Sequence, residues 1–257
     1  GIQQYYNEDL IGNNGREYGY LNDDSNLERV IKPAANGNTV VSTLDLNIQN
    51  VVEKYIDQWQ AGTGSQQAAD IVMDPDNGEV LAMAATNRYD LNNPRDLSAY
   101  YTEEEIASMD TEAQMEAWNK MWRNFCVSDT YEPGSTQKVF TVAAALEEGL
   151  SNGFEYHDCG GFKEVGGWRI RCVARNGHGP LTVEEGIMKS CNIVMMDLAA
   201  QMGRDRFSHY QELFGFGSRT GIDLPGEADT KNLVYSVGRM GPTELATNSF
   251  GPNYKCT

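Results

Sequence analysis

A serine and a lysine three residues apart precede an apolar helical stretch, and these residue types can carry out acyl transfer. Ser135 and Lys138 lie in the segment EPGSTQK, directly after Pro133 and Gly134. A serine hydroxyl is a weak nucleophile that needs a base within hydrogen-bond reach. Since positions i and i+3 share a helix face, Lys138 is placed to point at Ser135. Two interpretations are open: a nucleophile beside its base, or an ordinary helix cap with a solvated lysine.

A lysine acts as a base only when it is neutral, and the local sequence favours neutrality here. Burial lowers the pKa of a lysine, and so does the positive end of a helix. The start of a helix also leaves backbone N–H groups unpaired, and these can stabilise an oxyanion. The following stretch, VFTVAAALEEG, is small and apolar, which is typical of a buried helix.

A second polar triplet, Ser190-Cys191-Asn192, lies downstream between two predicted helices. If it faces the first pair, Ser190 is suited to relay a proton and Asn192 to hold a substrate amide. The alternative is that Ser190 is only the N-cap of the second helix.

The elements that must position these residues are predicted from periodicity and capping patterns. The stretch TLDLNIQNVVEKYIDQW predicts an amphipathic helix capped by Thr43 or Asp45. The runs on either side of PDNG, ADIVMD and EVLAMAAT, predict a β-hairpin. A capping box at Thr102 opens a predicted helical stretch over 102–125, and another at Thr182 opens a predicted helix that runs toward Lys189. Residues 153–180 are predicted as a loop or small ribbon.

A hairpin followed by many helices predicts an α+β fold, with helices packed on an antiparallel sheet. A stable sheet needs about three strands, so we expect its C-terminal strands to be missing from this chain. Residues 1–40 are polar and aperiodic, and we interpret them as a linker or the tail of an N-terminal non-catalytic domain. The second predicted domain covers residues 41–257.

Composition excludes several classes of function. The 257 residues are 40% hydrophobic and carry a net charge of −17, which argues against a nucleic-acid partner. No apolar run approaches the ~18 residues that a membrane span requires. The opening GIQQYYNEDL lacks the basic head and apolar stretch of a signal peptide, so any targeting segment is expected outside these residues.

Four segments in order resemble one family closely. EPGSTQKVFTVAAALEEG, HGPLTVEEGIMKSCN, IDLPGEAD and ELATNSFG are similar to the transpeptidase domain of class B penicillin-binding proteins. The resemblance implies a serine β-lactamase/transpeptidase-like fold and a D,D-transpeptidase whose catalytic residues are Ser135, Lys138, Ser190 and Asn192. It implies peptidoglycan stem peptides ending in D-Ala-D-Ala as substrates and β-lactams as inhibitors. Acyl transfer itself requires no cofactor.

The resemblance also implies an extracytoplasmic location, a membrane anchor in a segment not in this chain, and membrane proteins of cell-wall synthesis as partners. The family's third motif, Lys-Thr-Gly or Lys-Ser-Gly, is absent from this sequence. None of the eight lysines is followed by Thr-Gly or Ser-Gly. We therefore expect a transpeptidase domain that is incomplete at its C-terminal end. Two rival functions remain: a serine β-lactamase or penicillin-sensing domain of the same fold, and an inert scaffold module of a cell-wall synthesis complex.

Three cysteines and a histidine have the composition of a zinc site. Cys159, Cys172, His178 and Cys191 read C-x12-C-x5-H-x12-C, and three thiolates with one imidazole complete a tetrahedral set. Some elongation-type members of the family carry zinc beside the active site, with the cysteine of the S-C-x triplet as a ligand and aspartates as the first two ligands. The alternatives are a Cys159–Cys172 disulfide, or cysteines that are simply small buried hydrophobic residues.

Overall fold

The computed structural model describes residues 1–65 and 67–257, which form two compact units. The first unit comprises residues 1–128 with 222–227, and the second comprises 129–221 with 228–257. Every strand pair in the described residues is antiparallel and helices occur in both units, so the predicted α+β class is confirmed. None of the helices in the described ranges has the length and apolar character to cross a membrane.

The first 40 residues, predicted as a linker or tail, contain short elements. They are α1 (Ile2–Tyr5), α2 (Asn7–Leu10), β1 (Arg16–Leu21) and β2 (Leu27–Lys32). β1 pairs with β2 in an antiparallel hairpin whose side chains are nearly all exposed. Because neither strand has a buried face, the sequence carries no period-two pattern that predicts them.

The predicted amphipathic helix and hairpin of the first unit are confirmed. They are α3 (Leu46–Thr63), β3 (Ala69–Met73) and β4 (Val80–Ala85). Asp45 caps α3 by accepting hydrogen bonds from the backbone N–H groups of Asn47 and Ile48. Val52 and Ile56 on the inner face of α3 pack against the small side chains of β4.

The stretch 102–125, predicted to be helical, is helical but divided into separate helices. They are α4 (Glu103–Ser108), α5 (Thr111–Trp122) and α6 (Phe125–Ser128). The predicted capping box of Thr102 and Glu105 is present. The break occurs because Asp110 takes an extended conformation and caps α5, accepting from the backbone N–H of Ala113 at 2.8 Å.

The second unit holds the remaining helices and two ribbons. The helices are α7 (Gln137–Glu147), α8 (Val183–Met188), α9 (Asn192–Leu213) and α10 (Pro242–Asn248). The strands are β5 (Tyr156–Cys159), β6 (Phe162–Val165), β7 (Trp168–Arg171) and β8 (Gly179–Thr182). β5 pairs with β8 and β6 with β7, so the region 153–180 is a pair of small ribbons.

The core of the second unit lies around α7 and the first half of α9. The segment Ile193–Met196 and Leu198 of α9 are almost fully buried, together with Ala144 and Ala145 of α7. A helix that is apolar on nearly all sides belongs inside a core. The regular part of α9 is interrupted at Gly203, whose φ of 75° lies outside the helical region.

Candidate active site

Ser135 is presented by a tight turn that depends on two glycines. Gly134 has a φ of 58° and opens a 3₁₀ turn over Gly134–Thr136 that leads into α7. Gly251 packs directly against it, since a Cβ on Gly251 would meet the carbonyl oxygen of Gly134 at 1.9 Å. The backbone of Gly251, in the segment NSFG, therefore supports the turn, and Ser135 is left exposed at the start of the helix.

Lys138 lies one turn further along α7, and its hydrogen bonds lead to Ser190. Its Nζ donates to Ser190 Oγ at 2.7 Å and to the Ser190 carbonyl oxygen at 2.7 Å. Ser190 Oγ lies 3.1 Å from Ser135 Oγ. The sequence placed Lys138 on the same helix face as Ser135, and the structure connects the two residues through the hydroxyl of Ser190.

The environment of Lys138 favours its neutral form. The residue is only 3% exposed. Burial lowers the pKa of Lys138 from its ordinary value of 10.5, and this effect outweighs the opposing influence of Cys172 and Cys191. A larger fraction of Lys138 is therefore neutral at a given pH than in an exposed lysine, as a proton acceptor requires.

Ser190 adopts a conformation that is unusual for a residue with a Cβ. Its φ of 51° is left-handed, which costs a non-glycine residue about 1–2 kcal/mol. Backbone hydrogen bonds hold it there, from Ser190 N–H to Ile187 O at 2.9 Å and from Cys191 N–H to Gly186 O at 2.7 Å. The N-cap of α9 is Cys191, so the alternative of Ser190 as a plain N-cap is wrong.

Asn192 is oriented by a residue that the sequence did not indicate. Its Nδ2 donates to the backbone carbonyl of Arg171, at the end of β7, at 3.1 Å. This bond fixes the carboxamide plane and leaves Oδ1 to accept a hydrogen bond from another group. No sequence signal identifies Arg171, since the contact uses its backbone and spans 21 residues.

The four residues predicted to bind zinc come together in space. One ligand atom from each of Cys159, Cys172, His178 and Cys191 lies within 4.8 Å of every other. His178 Nδ1 is 3.5 Å from Cys159 Sγ and 3.7 Å from Cys172 Sγ, and Cys172 Sγ is 3.8 Å from Cys191 Sγ. All five cysteines of the chain are free thiols.

These separations fit the geometry of a tetrahedral metal site. Zn–S bonds of about 2.3 Å in a tetrahedron place sulfur atoms about 3.8 Å apart. The thiols differ in acidity: burial raises the pKa of Cys191 to about 12. Burial also opposes ionisation of Cys172, but hydrogen bonds from the backbone N–H groups of Asn192 and Ala174 and from neighbouring thiols lower its pKa overall.

Comparison with known proteins identifies the family. Residues 68–250 match the family described as penicillin binding protein transpeptidase domain. This range covers most of the chain and includes the serine pair, Lys138 and the Cys/His cluster. The chain belongs to this family.

Curated relatives include stage V sporulation protein D of Bacillus subtilis, 34% identical over 265 residues and 100% of this chain. The peptidoglycan D,D-transpeptidase MrdA of Escherichia coli is 33% identical over 88% of the chain. The alignments cover 37% and 34% of these two proteins, so the chain spans about a third of the length of each.

Solved structures agree with the predicted fold. Penicillin binding protein 3 of Mycobacterium tuberculosis, in complex with aztreonam, is 30% identical with a TM-score of 0.72, covering 88% of this chain and 46% of the other. A peptidoglycan synthetase of Bifidobacterium adolescentis superposes with a TM-score of 0.81 at 23% identity, covering 100% of this chain and 43% of the other. The predicted serine β-lactamase/transpeptidase-like fold is confirmed.

Proposed function

We propose that the full-length protein is a peptidoglycan D,D-transpeptidase in which Ser135 is the acylated nucleophile. The observation that carries this proposal is the hydrogen-bonded connection from Ser135 through Ser190 to the buried Lys138. A serine nucleophile needs an adjacent base, and a buried lysine with a lowered pKa supplies one. The relative MrdA, which is named as a peptidoglycan D,D-transpeptidase, supports the choice of reaction.

The proposed reaction proceeds in two acyl-transfer steps. Ser135 Oγ attacks the carbonyl carbon of the D-Ala-D-Ala peptide bond, and its proton passes by way of Ser190 Oγ to neutral Lys138. The peptide bond then breaks, the amine of the departing D-Ala takes a proton from this relay, and the stem peptide remains as an ester on Ser135. An amine of a neighbouring stem attacks the ester and gives up one proton, which passes through the same relay to the departing Ser135 Oγ, so that the new amide forms and Ser135 is released as its hydroxyl.

Two further groups have binding roles in this proposal. Asn192 Oδ1, which its bond to Arg171 leaves available, accepts a hydrogen bond from a substrate N–H. The backbone N–H of Ser135, in the first turn before α7, donates to the oxyanion that forms on the carbonyl. No step of the acyl transfer is assigned to a cofactor.

β-Lactams are proposed to acylate the same serine, since their strained amide replaces the peptide bond. A transpeptidase releases this acyl group slowly, whereas a β-lactamase needs a group that activates water for rapid hydrolysis. We further propose an extracytoplasmic site of action, a membrane anchor outside these residues, and membrane proteins of cell-wall synthesis as partners.

The direct test uses the full-length protein with a synthetic stem pentapeptide and an acceptor amine. A transpeptidase releases D-Ala and forms the cross-linked dimer, and it retains bound benzylpenicillin for many minutes. Rapid turnover of benzylpenicillin without dimer would establish the β-lactamase alternative. The absence of both D-Ala release and a penicillin adduct would establish the inert scaffold alternative.

We also propose a structural zinc ion held by Cys159, Cys172, His178 and Cys191. The support is the chemistry of the donor set and its spacing, which fit a closed tetrahedral site. Such an ion would tie the ribbons to Cys191, which lies between Ser190 and Asn192. It would supply rigidity there and take no part in the acyl transfer.

Metal content and thermal stability test the zinc proposal without any measurement of activity. We expect about one equivalent of zinc in the purified protein, lost in a Cys172→Ser variant, and a lower Tm after chelation. A Cys126→Ser variant is the matched control, because Cys126 lies outside the cluster, and it should retain the metal. Metal-free protein with an intact Cys159–Cys172 disulfide would contradict the proposal.

A further inference from the structure

We infer that the outer face of the β6–β7 ribbon, formed by Phe162, Arg169 and Arg171, binds carboxylate groups of an acidic peptide beside the active site. The inference rests on the proposed function and extends it, because it names the feature of the stem peptide that this surface recognises. We call this face the arginine face.

The ribbon is held rigidly by its opposite face. Val165 and Ile170 pack against the core of the second unit, and Lys163 forms an ion pair with Asp197 of α9. At the turn, the Val165 carbonyl accepts a hydrogen bond from Thr243 Oγ1 at 3.4 Å. A Cβ on Gly166 would meet Thr243 Oγ1 at 2.2 Å, so the turn lies close against α10.

The strand register places the remaining side chains together on the arginine face. Phe162 lies opposite Arg171, and Glu164 lies opposite Arg169. Directly opposed residues of an antiparallel pair share a face, and so do residues two apart along a strand. These four side chains therefore project on the side away from the core, and all four are exposed.

The contacts within the arginine face leave one cationic side chain available. Arg169 is 4.3 Å from the centre of the Phe162 ring and pairs with Glu164 at 2.7 Å. Arg171 is exposed, and among the described residues it has no ion-pair partner. The planar guanidinium of arginine binds a carboxylate through two parallel hydrogen bonds, and Phe162 offers an apolar surface opposite it.

The charge of this region is opposite to that of the whole chain. The arginine face carries Arg169 and Arg171 and the single acidic residue Glu164, so its own net charge is positive. The chain as a whole carries a charge of −17, which repels anions from most of its surface. A local cationic face in such a field gives a carboxylate-bearing ligand one preferred place of approach.

The position of Arg171 connects the arginine face to the catalytic residues. Its backbone carbonyl accepts the hydrogen bond from Asn192 Nδ2, while its side chain points away from the core. Asn192 follows Cys191 and Ser190 in the chain, and Ser190 contacts Ser135. A peptide acylated on Ser135 and held by Asn192 therefore extends beside the ribbon, where its carboxylates meet Arg171.

The test compares two peptides by equilibrium binding to the full-length protein in a Ser135→Ala background, so that turnover does not interfere. The probes are an acidic stem pentapeptide ending in D-Ala-D-Ala and the same peptide with its side-chain carboxylates amidated. We expect about a tenfold preference for the acidic peptide, since a bond to a charged group is stronger than one to a neutral group. Rising salt should weaken this preference.

Arg171→Glu should abolish the preference, and the neutral Arg171→Gln should reduce it. The matched control is Arg204→Glu, an equal change of charge on α9 beyond the break at Gly203, which should preserve the preference. Because the result is a ratio for one protein, partial loss of folded protein affects both peptides equally. The backbone carbonyl of Arg171 remains in every variant.

An Arg171→Glu protein with the same preference as Arg204→Glu would overturn the inference. The proposed function is tested separately, by D-Ala release from the acidic peptide with Ser135 intact. Loss of preference in Arg171→Glu without any D-Ala release would uphold the arginine face and contradict the proposed function. D-Ala release together with an unchanged preference in Arg171→Glu would uphold the proposed function and contradict the arginine face.

Discussion

The two units of the protein bury their apolar residues to very different extents. In the second unit, one large core surrounds α7 and α9, and residues such as Val194 and Leu198 are fully buried. The first unit has two smaller clusters, one under α3 and one around Met121 of α5. The outward face of α3 leaves Val51, Tyr55 and Trp59 exposed.

This difference matters because the proposed catalytic residues lie on, or directly before, the helices α7 and α9 of the large core. Lys138 on α7 is 3% exposed, whereas Lys54 on α3 is exposed to solvent. Lys138 lies against the large core, where burial desolvates its ammonium group and lowers its pKa. A well-packed core also holds the donor and acceptor atoms in fixed positions, as preorganised catalysis requires.

The largest expected effect distinguishes these two lysines. Lys138→Met should lower the second-order rate constant of acylation by benzylpenicillin about a thousandfold, since general-base catalysis contributes about 10²–10⁴-fold. Lys54→Met, the matched change on α3, should leave the rate within about twofold. Stopped-flow or quenched mass measurements on the full-length protein give both constants. A Lys138→Met protein that keeps more than a tenth of the rate would show that the base lies elsewhere.

A pair of leucines tests the difference in burial between α9 and the start of α3. Leu198→Ala removes a fully buried side chain of α9 and should lower the free energy of unfolding by about 3 kcal/mol. Leu46→Ala, at the start of α3, removes a side chain that is 73% exposed and should change it by less than about 0.5 kcal/mol. Urea denaturation monitored by circular dichroism measures both. Equal losses would mean that Leu46 is as deeply packed as Leu198.

Two substitutions of Ser190 separate the role of its hydroxyl group from that of its backbone conformation. Ser190→Ala should reduce acylation about a hundredfold, because it removes the oxygen between Ser135 and Lys138. Ser190→Gly should reduce the rate equally but should be more stable than Ser190→Ala by about 1 kcal/mol, since glycine adopts a positive φ freely. If Ser190→Gly acylates at the wild-type rate, the relay through Ser190 is contradicted.

The smallest effect, and the one most specific to burial, is the pH dependence. In the proposed mechanism neutral Lys138 is the active form, so the acylation rate constant should rise with pH, with a midpoint below 10.5. The unfolded state binds more protons than the folded state between the lowered pKa of Lys138 and 10.5, so stability should also rise with pH across that window. A midpoint at or above 10.5 would mean that Lys138 is effectively solvated.

Local patterns in the sequence predicted much of this structure. The capping boxes at Thr102 and Thr182, the helix after Asp45 and the hairpin around PDNG all depend on residues close together in the chain, and the structure contains each of them. The spacing of Ser135 and Lys138 indicated a nucleophile beside its base, and the resemblance to the transpeptidase family favoured that interpretation over a plain helix cap.

Contacts between distant parts of the chain could not be predicted in this way. The approach of Gly251 to Gly134 and the bond from Asn192 to Arg171 each join residues 21 or more positions apart. Ser190 was named as a candidate proton relay, but its left-handed backbone conformation has no local sequence signal. The hairpin β1–β2 was missed for another reason, because an exposed strand imposes no hydrophobic period on the sequence.

The most direct test of the central proposal is the intact mass of the full-length protein after incubation with benzylpenicillin, beside a Ser135→Ala control. The account predicts a stable increase by the mass of one penicillin, carried by the peptide that contains Ser135 and absent from the control. An adduct of the same yield in the Ser135→Ala protein, or one located on another residue, would contradict the assignment of Ser135 as the nucleophile.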